Sequence, residues 1–280
     1  MRGSMIRSRR RERGFVLITV LWMGLALLLG AAAFMSNARQ EALQARTEVE
    51  TTRALALARS GLNVALADLG RVEPSQLTTR RDGSPVVLTM AEGEVTYRIH
   101  DEGGKVDVNH APSEVLAPVL ASISAEEGID RFDAVNVAQA LEARNIGGNR
   151  VRSVGDALRA AGLSRETART AERYLTTFNF TSKVNPRTAA PATLAAIPGL
   201  GASGAAEIVA RREAGETMPR LGSAAAWLAE RASMVFTIEA DAKLATGGTT
   251  RLVAQVASRG LSFRGGLMRY EVLSVREEHP

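Results

Sequence analysis

The stretch RRRERGFVLITVLWMGLALLLG, residues 9–30, decides the fold, because a dense run of arginines changes abruptly into an apolar segment. From Phe15 to Met35 the sequence has 21 residues without a charged side chain. As a helix this segment would be about 31 Å long, which is enough to cross a hydrocarbon core of about 30 Å. We therefore expect a membrane-spanning helix near the N-terminus.

The charge distribution indicates which side of the membrane the N-terminus occupies. The 280 residues carry a formal net charge of +5, and residues 1–14 account for all of it with six arginines and one glutamate. Arginine-rich flanks stay on the cytoplasmic side of a membrane. Because the rest of the chain has no net charge, it lacks the electrostatics of a general DNA-coating protein. The absence of cysteine excludes disulfides, thiolate metal sites and cysteine nucleophiles.

The helical pattern continues beyond the apolar segment as an amphipathic helix. Apolar residues recur three, four and seven positions apart, while Arg53, Arg59 and Asp68 fall on other faces. No proline interrupts residues 1–73, so one helix of about 55 residues is predicted to end near Leu69. The recurring residues are Leu55, Ala58, Leu62, Ala65, Leu66 and Leu69, of which Leu55, Leu62 and Leu66 are expected to dock on a sheet.

Alternation of apolar and polar residues predicts two groups of strands on either side of a helical block. The first group is Val86–Met90 and Val95–Ile99 around a turn at Glu92–Gly93, and the second covers residues 234–244, 249–258 and 267–276. The block between them, residues 111–232, is rich in alanine and arginine. A long helix packed on an antiparallel sheet, with a helical domain inserted between the strands, is an α+β architecture.

A short internal repeat, with one copy near the start of this block and one in its middle, predicts two related segments that each lead into a helix. KVDVNHAPSEVL, residues 105–116, aligns with KVNPRTAAPATL, residues 183–194. In each copy a short extended piece with Asx or Thr precedes an apolar helix, which is typical of an N-cap.

The leader, helix and insertion together resemble a known family. RERGFVLITVLWMGLALL, residues 11–28, is similar to a type IV prepilin leader, in which a basic segment and a glycine precede a phenylalanine that opens a long helix. With the insertion and the closing RYEVLSVRE, residues 269–277, nearly the whole chain resembles the type II secretion minor pseudopilin called protein K. The resemblance implies a pilin-like α+β fold with a large all-α insertion of the helix-hairpin-helix or SAM-like kind. The implied segments are a leader at 1–14, a transmembrane helix at 15–36, its amphipathic continuation at 37–70, a pilin-like β part at 71–104 and 233–280, and the insertion at 105–232.

The same resemblance implies how the chain is processed and where it acts. Prepilin peptidase would cut between Gly14 and Phe15 and methylate Phe15. Thr19 replaces the usual glutamate at the fifth mature position, which implies a place at the fibre tip, where no neighbouring ammonium group needs a carboxylate. Val16–Met35 would anchor the chain in the bacterial inner membrane, with the C-terminal domain in the periplasm.

The resemblance also implies partners and a role. The partners would be the other minor pseudopilins, the major pseudopilin, the inner-membrane assembly platform and prepilin peptidase. The role would be to start or cap the pseudopilus for protein export across the outer membrane.

The hairpin LAAIPGLGASGAAEIVARRE, residues 194–213, indicates an alternative function. A glycine-rich turn between two apolar helices is a helix-hairpin-helix signature, and its backbone amides can cradle a phosphate. With Arg211 and Arg212 the hairpin would suit a membrane-anchored DNA-binding protein of a DNA-uptake system. Simple helix packing is favoured over nucleic-acid binding, because the region carries little net charge and no aromatic residue. The loop residues are Pro198, Gly199, Leu200 and Gly201.

No catalytic constellation stands out, so we do not expect an enzyme. Five residues after the second strand could hold a metal, but a solvated loop is favoured because their spacing matches no ligand pattern. An acidic patch could bind calcium weakly, yet the segment through which relatives of the protein K family bind calcium is not recognised, so no cofactor is assigned. The first set is His100, Asp101, Glu102, Asp107 and His110, and the acidic patch is Glu126, Glu127, Asp130 and Asp133.

A signal-peptidase site is a further alternative. GAAAFMSNA, residues 30–38, would allow cleavage after Ala33. Such a cut would release a periplasmic enzyme with an N-terminus near Phe34.

Overall fold

The computed structural model describes residues 8–71, 80–126, 129, 131–231, 233–261 and 268–278, leaving aside the side chains of residues 8–14 and 261. The chain forms two compact units, Met1–Arg53 and Ala54–Pro280.

The first unit consists of the greater part of one long helix, α1 (Ser8–Leu69). This helix begins within the predicted leader and continues without a break through the apolar segment into the amphipathic part, so the predicted long helix is confirmed. Every side chain from Phe15 to Val49 is exposed. These residues therefore form no hydrophobic core of their own.

Seven strands follow α1 among the described residues. They are β1 (Val86–Met90), β2 (Gly93–Asp101), β3 (Val106–Asp107), β4 (Leu175–Thr176), β5 (Val235–Leu244), β6 (Thr249–Leu261) and β7 (Met268–Glu278). Five of them form a sheet in the order β1-β2-β5-β6-β7, in which all neighbours are antiparallel. Both predicted strand groups are confirmed. Gly93 belongs to β2 rather than to the turn, because it pairs with Met90 and Leu244.

The last sixteen residues of α1, Ala54–Leu69, pack on one face of this sheet and form its hydrophobic core. The alternation predicted for β2 is confirmed, since Val95, Tyr97 and Ile99 point into this core. Leu62 is buried as predicted, whereas Leu55 and Leu66 are only partly buried at its margin. The other buried helix positions are Ala54, Leu57, Ala58, Ala65 and Leu69.

The opposite face of the sheet is polar and carries a half-buried network of ion pairs. Asp241 on β5 accepts hydrogen bonds from Arg98 on β2 and from Arg251 on β6. Burial alone would raise the pKa of Asp241, but the hydrogen bonds and charges of Arg251 and Arg98 outweigh it and hold the pKa below its usual value.

We expect this network to make stability pH-dependent at its acid end. Because the pKa of Asp241 is lowered on folding, its contribution is present above the unfolded value near 3.8 and is lost as the pH falls through the folded pKa. Asp241→Asn should therefore lower the melting temperature at pH 7 and cost progressively less at more acid pH. Thermal unfolding of both proteins across this range tests it, and a gap that stays constant down to the most acid pH would contradict it.

The helical block leaves the sheet at the end of β2 and returns at the start of β5. Asp101 and Phe236, which pair directly across these two strands, mark the two ends. Among the described residues, six α-helices form around a separate hydrophobic core. They are α2 (Ser113–Ser124), α3 (Ala134–Ile146), α4 (Val154–Ala160), α5 (Arg165–Ala171), α6 (Pro191–Ala196) and α7 (Gly201–Glu213). The α+β class predicted from the sequence is confirmed.

The predicted internal repeat has the same local structure in both copies. Asp107 and Asn185 each accept a hydrogen bond at the side chain from the amide two residues later, and at the backbone carbonyl from the amide four residues later. Val106 and Val184 each form a parallel bridge, with Leu175 and Leu228 respectively.

Two details of the block differ from the sequence analysis. The parallel ladder of β3 and β4 was not predicted in a block expected to be entirely helical. The Asx residues make turns rather than N-caps, since α2 and α6 begin after Pro112 and Ala190, neither of which makes a side-chain capping bond.

Candidate functional site

The first half of α1 is the candidate site with the clearest chemistry. From Phe15 onward the helix contains an 18-residue window with a mean hydropathy of 2.4, and none of that window is buried. By length and composition it can cross a membrane. Phe15 is 73% exposed, and Gly14 lies within the same helix. Cleavage at Gly14 and methylation of Phe15 remain predictions.

Thr19 is satisfied within its own helix. Its hydroxyl donates to the carbonyl of Phe15, with 2.9 Å between the oxygens. A hydroxyl bonded to the carbonyl four residues earlier needs no partner from another chain. The fifth position after Gly14 therefore carries neither a charge nor an unpaired polar group. Its role in tip placement remains a prediction.

Gly61 is a residue that the sequence analysis missed. A Cβ atom at Gly61 would lie 2.2 Å from Cγ1 of Val95 on β2. The backbone of α1 therefore approaches the sheet too closely here for a side chain, which only glycine permits. A lone glycine on the apolar face of a predicted helix is the signal that could have identified this contact.

The junction between sheet and insertion is polar and buried, so the expected solvated loop is wrong. Asp101, Glu102 and Asp107 are each less than 5% exposed. Glu102 accepts hydrogen bonds from Lys105 at 2.6 Å, from Thr237 at 2.7 Å and from Thr176. These partners come from the start of the insertion, from β5 and from β4. One carboxylate thus ties the inserted domain to the sheet, whereas the sequence had suggested a residue of a solvated loop or, less favoured, a metal ligand.

The two histidines considered for a metal cluster each lie near one carboxylate. His100 lies on β2 with its Nε2 3.7 Å from Glu239, and burial followed by the charge of Lys105 lowers its pKa. His110 lies 3.2 Å from the carboxylate of Asp107. Across the described parts of the chain, no three His, Asp or Glu side chains converge in a way that could hold a metal ion.

Of the four residues in the acidic patch, the structure describes two, Glu126 and Asp133. Glu127 and Asp130 lie outside the described residues. Glu126 accepts a hydrogen bond from the hydroxyl of Tyr174, and Asp133 caps the N-terminus of α3. These two carboxylates therefore have structural roles within the protein.

The hairpin loop connects α6 to α7 as the sequence predicted. Gly199 and Gly201 have φ values of 79° and 67°, which glycine adopts without strain. Leu194, Ile197 and Ile208 are buried, as the favoured packing arrangement predicts, whereas Leu200, also expected to be buried, is only partly so. The loop residues Pro198, Gly199, Leu200 and Gly201 thus have a clear structural role.

The two arginines of the hairpin are engaged within the chain. Arg211 pairs with Glu207 and Glu216. Arg212 donates to the carbonyl of Ala189 at 2.6 Å, and its side chain is only 10% exposed. The contacts available to a DNA backbone at this hairpin are correspondingly reduced.

Comparison with solved structures finds chains that resemble this one. A chain in the crystal structure of the GspK-GspI-GspJ complex from the type 2 secretion system of enterotoxigenic Escherichia coli is 14% identical, and the match covers 88% of this chain and 99% of that chain. The TM-score is 0.49. Similarity at this level does not carry a function from one chain to another. No family model and no curated protein matches the chain.

Proposed function

We propose that this chain is a minor pseudopilin of the type II secretion system that lies at the tip of the pseudopilus and helps to start or cap the fibre. The observation that carries the proposal is the division of α1 into an exposed apolar half and a half packed on an antiparallel sheet. A helix of this kind suits a subunit that is first held in a membrane and then stacked in a fibre. The proposed role is structural and not catalytic.

The tip position is supported by Thr19. A shaft subunit needs a carboxylate near its N-terminus to neutralise the ammonium group of its neighbour. Thr19 offers only a hydroxyl, and that hydroxyl already donates to Phe15. A subunit with this residue suits the end of a fibre, where the neutralising carboxylate is not needed.

The proposed location and partners follow from this assignment. The basic residues 1–14 would remain in the cytoplasm, the apolar half of α1 would lie in the inner membrane, and the domain Ala54–Pro280 would be periplasmic. The partners would be the other minor pseudopilins, the major pseudopilin, the assembly platform and prepilin peptidase.

Mass spectrometry of the mature N-terminus tests the proposal. Cells with prepilin peptidase should yield a chain that begins with N-methyl-phenylalanine at Phe15, and cells without it should retain the leader. Replacement of Gly14 by a bulky residue should block processing in the strain that has the peptidase. An N-terminus near Phe34, independent of the peptidase, would overturn the proposal in favour of a released periplasmic protein.

Substitutions at Thr19 provide a second test. Thr19→Val removes only a hydrogen bond internal to the helix, so secretion should be unchanged. Thr19→Glu places the usual carboxylate near the start of the apolar segment, but at the fibre tip no neighbouring ammonium group would neutralise it. We expect unchanged membrane levels and reduced secretion for Thr19→Glu, measured by immunoblotting and by export of a secreted enzyme. Equal secretion by the two variants would contradict the assignment to the tip.

A further inference from the structure

One end of the inserted domain is organised around the turn of residues 107–110. Asn109 exchanges two hydrogen bonds with the backbone of Val151, at 2.8 and 2.9 Å. The side chain of Asn145 donates to the carbonyl of Val108 at 2.6 Å. The buried carboxylate of Asp107 accepts the amide of Phe180 at 2.7 Å. Residues 145–151 and 178–181 are therefore fastened to the same turn.

Phe180 is held in an unfavourable backbone conformation and exposes its ring. Its φ is +58°, the only positive φ among the described non-glycine residues, and this left-handed region is disfavoured for a side chain as bulky as phenylalanine. Its neighbour Asn179 donates to the carbonyls of Lys105 and Lys183 at 3.0 and 2.9 Å. The ring is 63% exposed and meets His110 edge-on. The hydrogen bonds maintain this conformation, yet the ring is not used in the core, which indicates a function outside it.

The segment around residues 145–151, which is bonded to the same turn, exposes a second apolar side chain and three arginines. Ile146, at the end of α3, is 83% exposed. Arg144, Arg150 and Arg152 are exposed, and within the described part of the chain none of them has a carboxylate oxygen within 4.0 Å. Among the described residues, Arg144 donates only to the carbonyl of Asn149. Elsewhere on this domain the exposed Arg159 and Arg187 do form ion pairs. We call these five residues (Phe180, Ile146, Arg144, Arg150 and Arg152) the insertion patch.

We propose that the insertion patch docks a partner protein whose surface is acidic around an apolar centre. Aromatic and arginine side chains contribute most of the binding energy at protein interfaces, and a preordered ring loses little entropy on binding. Three arginines without carboxylates supply the charge complementarity that selects an acidic partner. The exposed Ile146 and Phe180 favour a protein over a nucleic acid, which would use the arginines but gain little from an aliphatic side chain. This inference goes beyond the proposed function and does not depend on it.

Fluorescence anisotropy with the purified full chain in detergent tests the proposal. The probe is a short labelled peptide that alternates glutamate with leucine, and its control alternates lysine with leucine. We expect the acidic peptide to bind at least about tenfold more tightly than the basic one and to weaken as salt is added. Phe180→Gly and the double variant R150E/R152E should each weaken binding of the acidic peptide about tenfold.

Matched variants separate binding from folding. Val135→Ser removes an exposed apolar side chain, 53% exposed, at the other end of α3. R220E/R231E changes the net charge by the same amount as R150E/R152E but outside the insertion patch. Both variants should bind the acidic peptide like wild type. Phe180→Gly should melt no lower than wild type, because glycine adopts the left-handed conformation without strain. If Phe180→Gly melts at a lower temperature than wild type, only the peptide binding of R150E/R152E is used to judge the proposal. Equal binding of the two peptides, unchanged binding by R150E/R152E, or tighter binding of a short DNA duplex than of the acidic peptide would overturn the proposal.

Discussion

Replacing Glu102 by glutamine is expected to lower the free energy of unfolding by about 3–5 kcal/mol, which is the usual cost of removing one partner from a buried ion pair. The Glu102 and Lys105 side chains are 2% and 11% exposed. Glutamine keeps the size of the side chain and an acceptor for a threonine hydroxyl, but it leaves the Lys105 ammonium group buried without a carboxylate. Because Glu102 also bonds to Thr237 on β5 and Thr176 on β4, the loss should loosen the inserted domain from the sheet.

Two further variants make this expectation specific. Adding Lys105→Met to Glu102→Gln removes both charges and should recover much of the loss. Glu207→Gln breaks an exposed pair with Arg211 and should cost less than about 1 kcal/mol. Chemical denaturation of the full chain in detergent, followed by the fluorescence of Trp227 in a Trp22→Phe background, gives all three values. If Glu102→Gln costs no more than Glu207→Gln, the carboxylate does not tie the two parts together.

Gly61→Ala should destabilise the protein, although the same change in an open helix would stabilise it by about 1 kcal/mol. The new methyl group would meet Val95 Cγ1 at 2.2 Å, and overpacking of a core typically costs about 1–3 kcal/mol. We therefore expect a lower melting temperature and a larger exposed fraction of the apolar helix face. The steric term should win because both α1 and β2 are fixed by their other core contacts.

The sign of the effect distinguishes contact from helix propensity. Asn63→Ala, two residues away on the exposed face, should raise the melting temperature. In a Val95→Ala background, which makes room for the methyl group, Gly61→Ala should cost less than in wild type. A rise in melting temperature for Gly61→Ala in the wild-type background would show that α1 does not approach β2 as closely as described.

Local patterns in the sequence predicted most of the fold. Strand β2 was found because one of its faces meets the core, which imposes alternation along Val95, Tyr97 and Ile99. The long helix was found because it lacks proline and because its apolar residues change from all faces to one. The repeated turns at Asp107 and Asn185 were visible as similar residues at similar spacing.

The sequence did not predict contacts between distant residues. Glu102 meets Thr176 and Thr237, which lie far along the chain, so its burial depends on how the insertion closes. Without that closure, a charged residue next to two glycines is most simply interpreted as part of a solvated loop. The exposed and strained Phe180 was missed for the same reason, since its conformation depends on a bond to Asp107.

The place where the insertion joins the sheet has a consequence for the order of folding. Glu102 and Thr237 are 135 positions apart in the sequence. Thr237 nevertheless lies on β5, and Glu102 directly follows β2, the neighbour of β5 in the sheet. Closing a flexible loop of that length costs about 3 kcal/mol more than closing a turn of four residues. If the insertion folds first, the bonds from Asn185 to Gly103 and Arg231 bring its ends together, and β2 and β5 can then pair as rapidly as a short hairpin. We therefore expect the amides of α2 to gain protection in pulsed hydrogen exchange before those of β5, so that the inserted domain acts as the nucleus for the sheet that carries it.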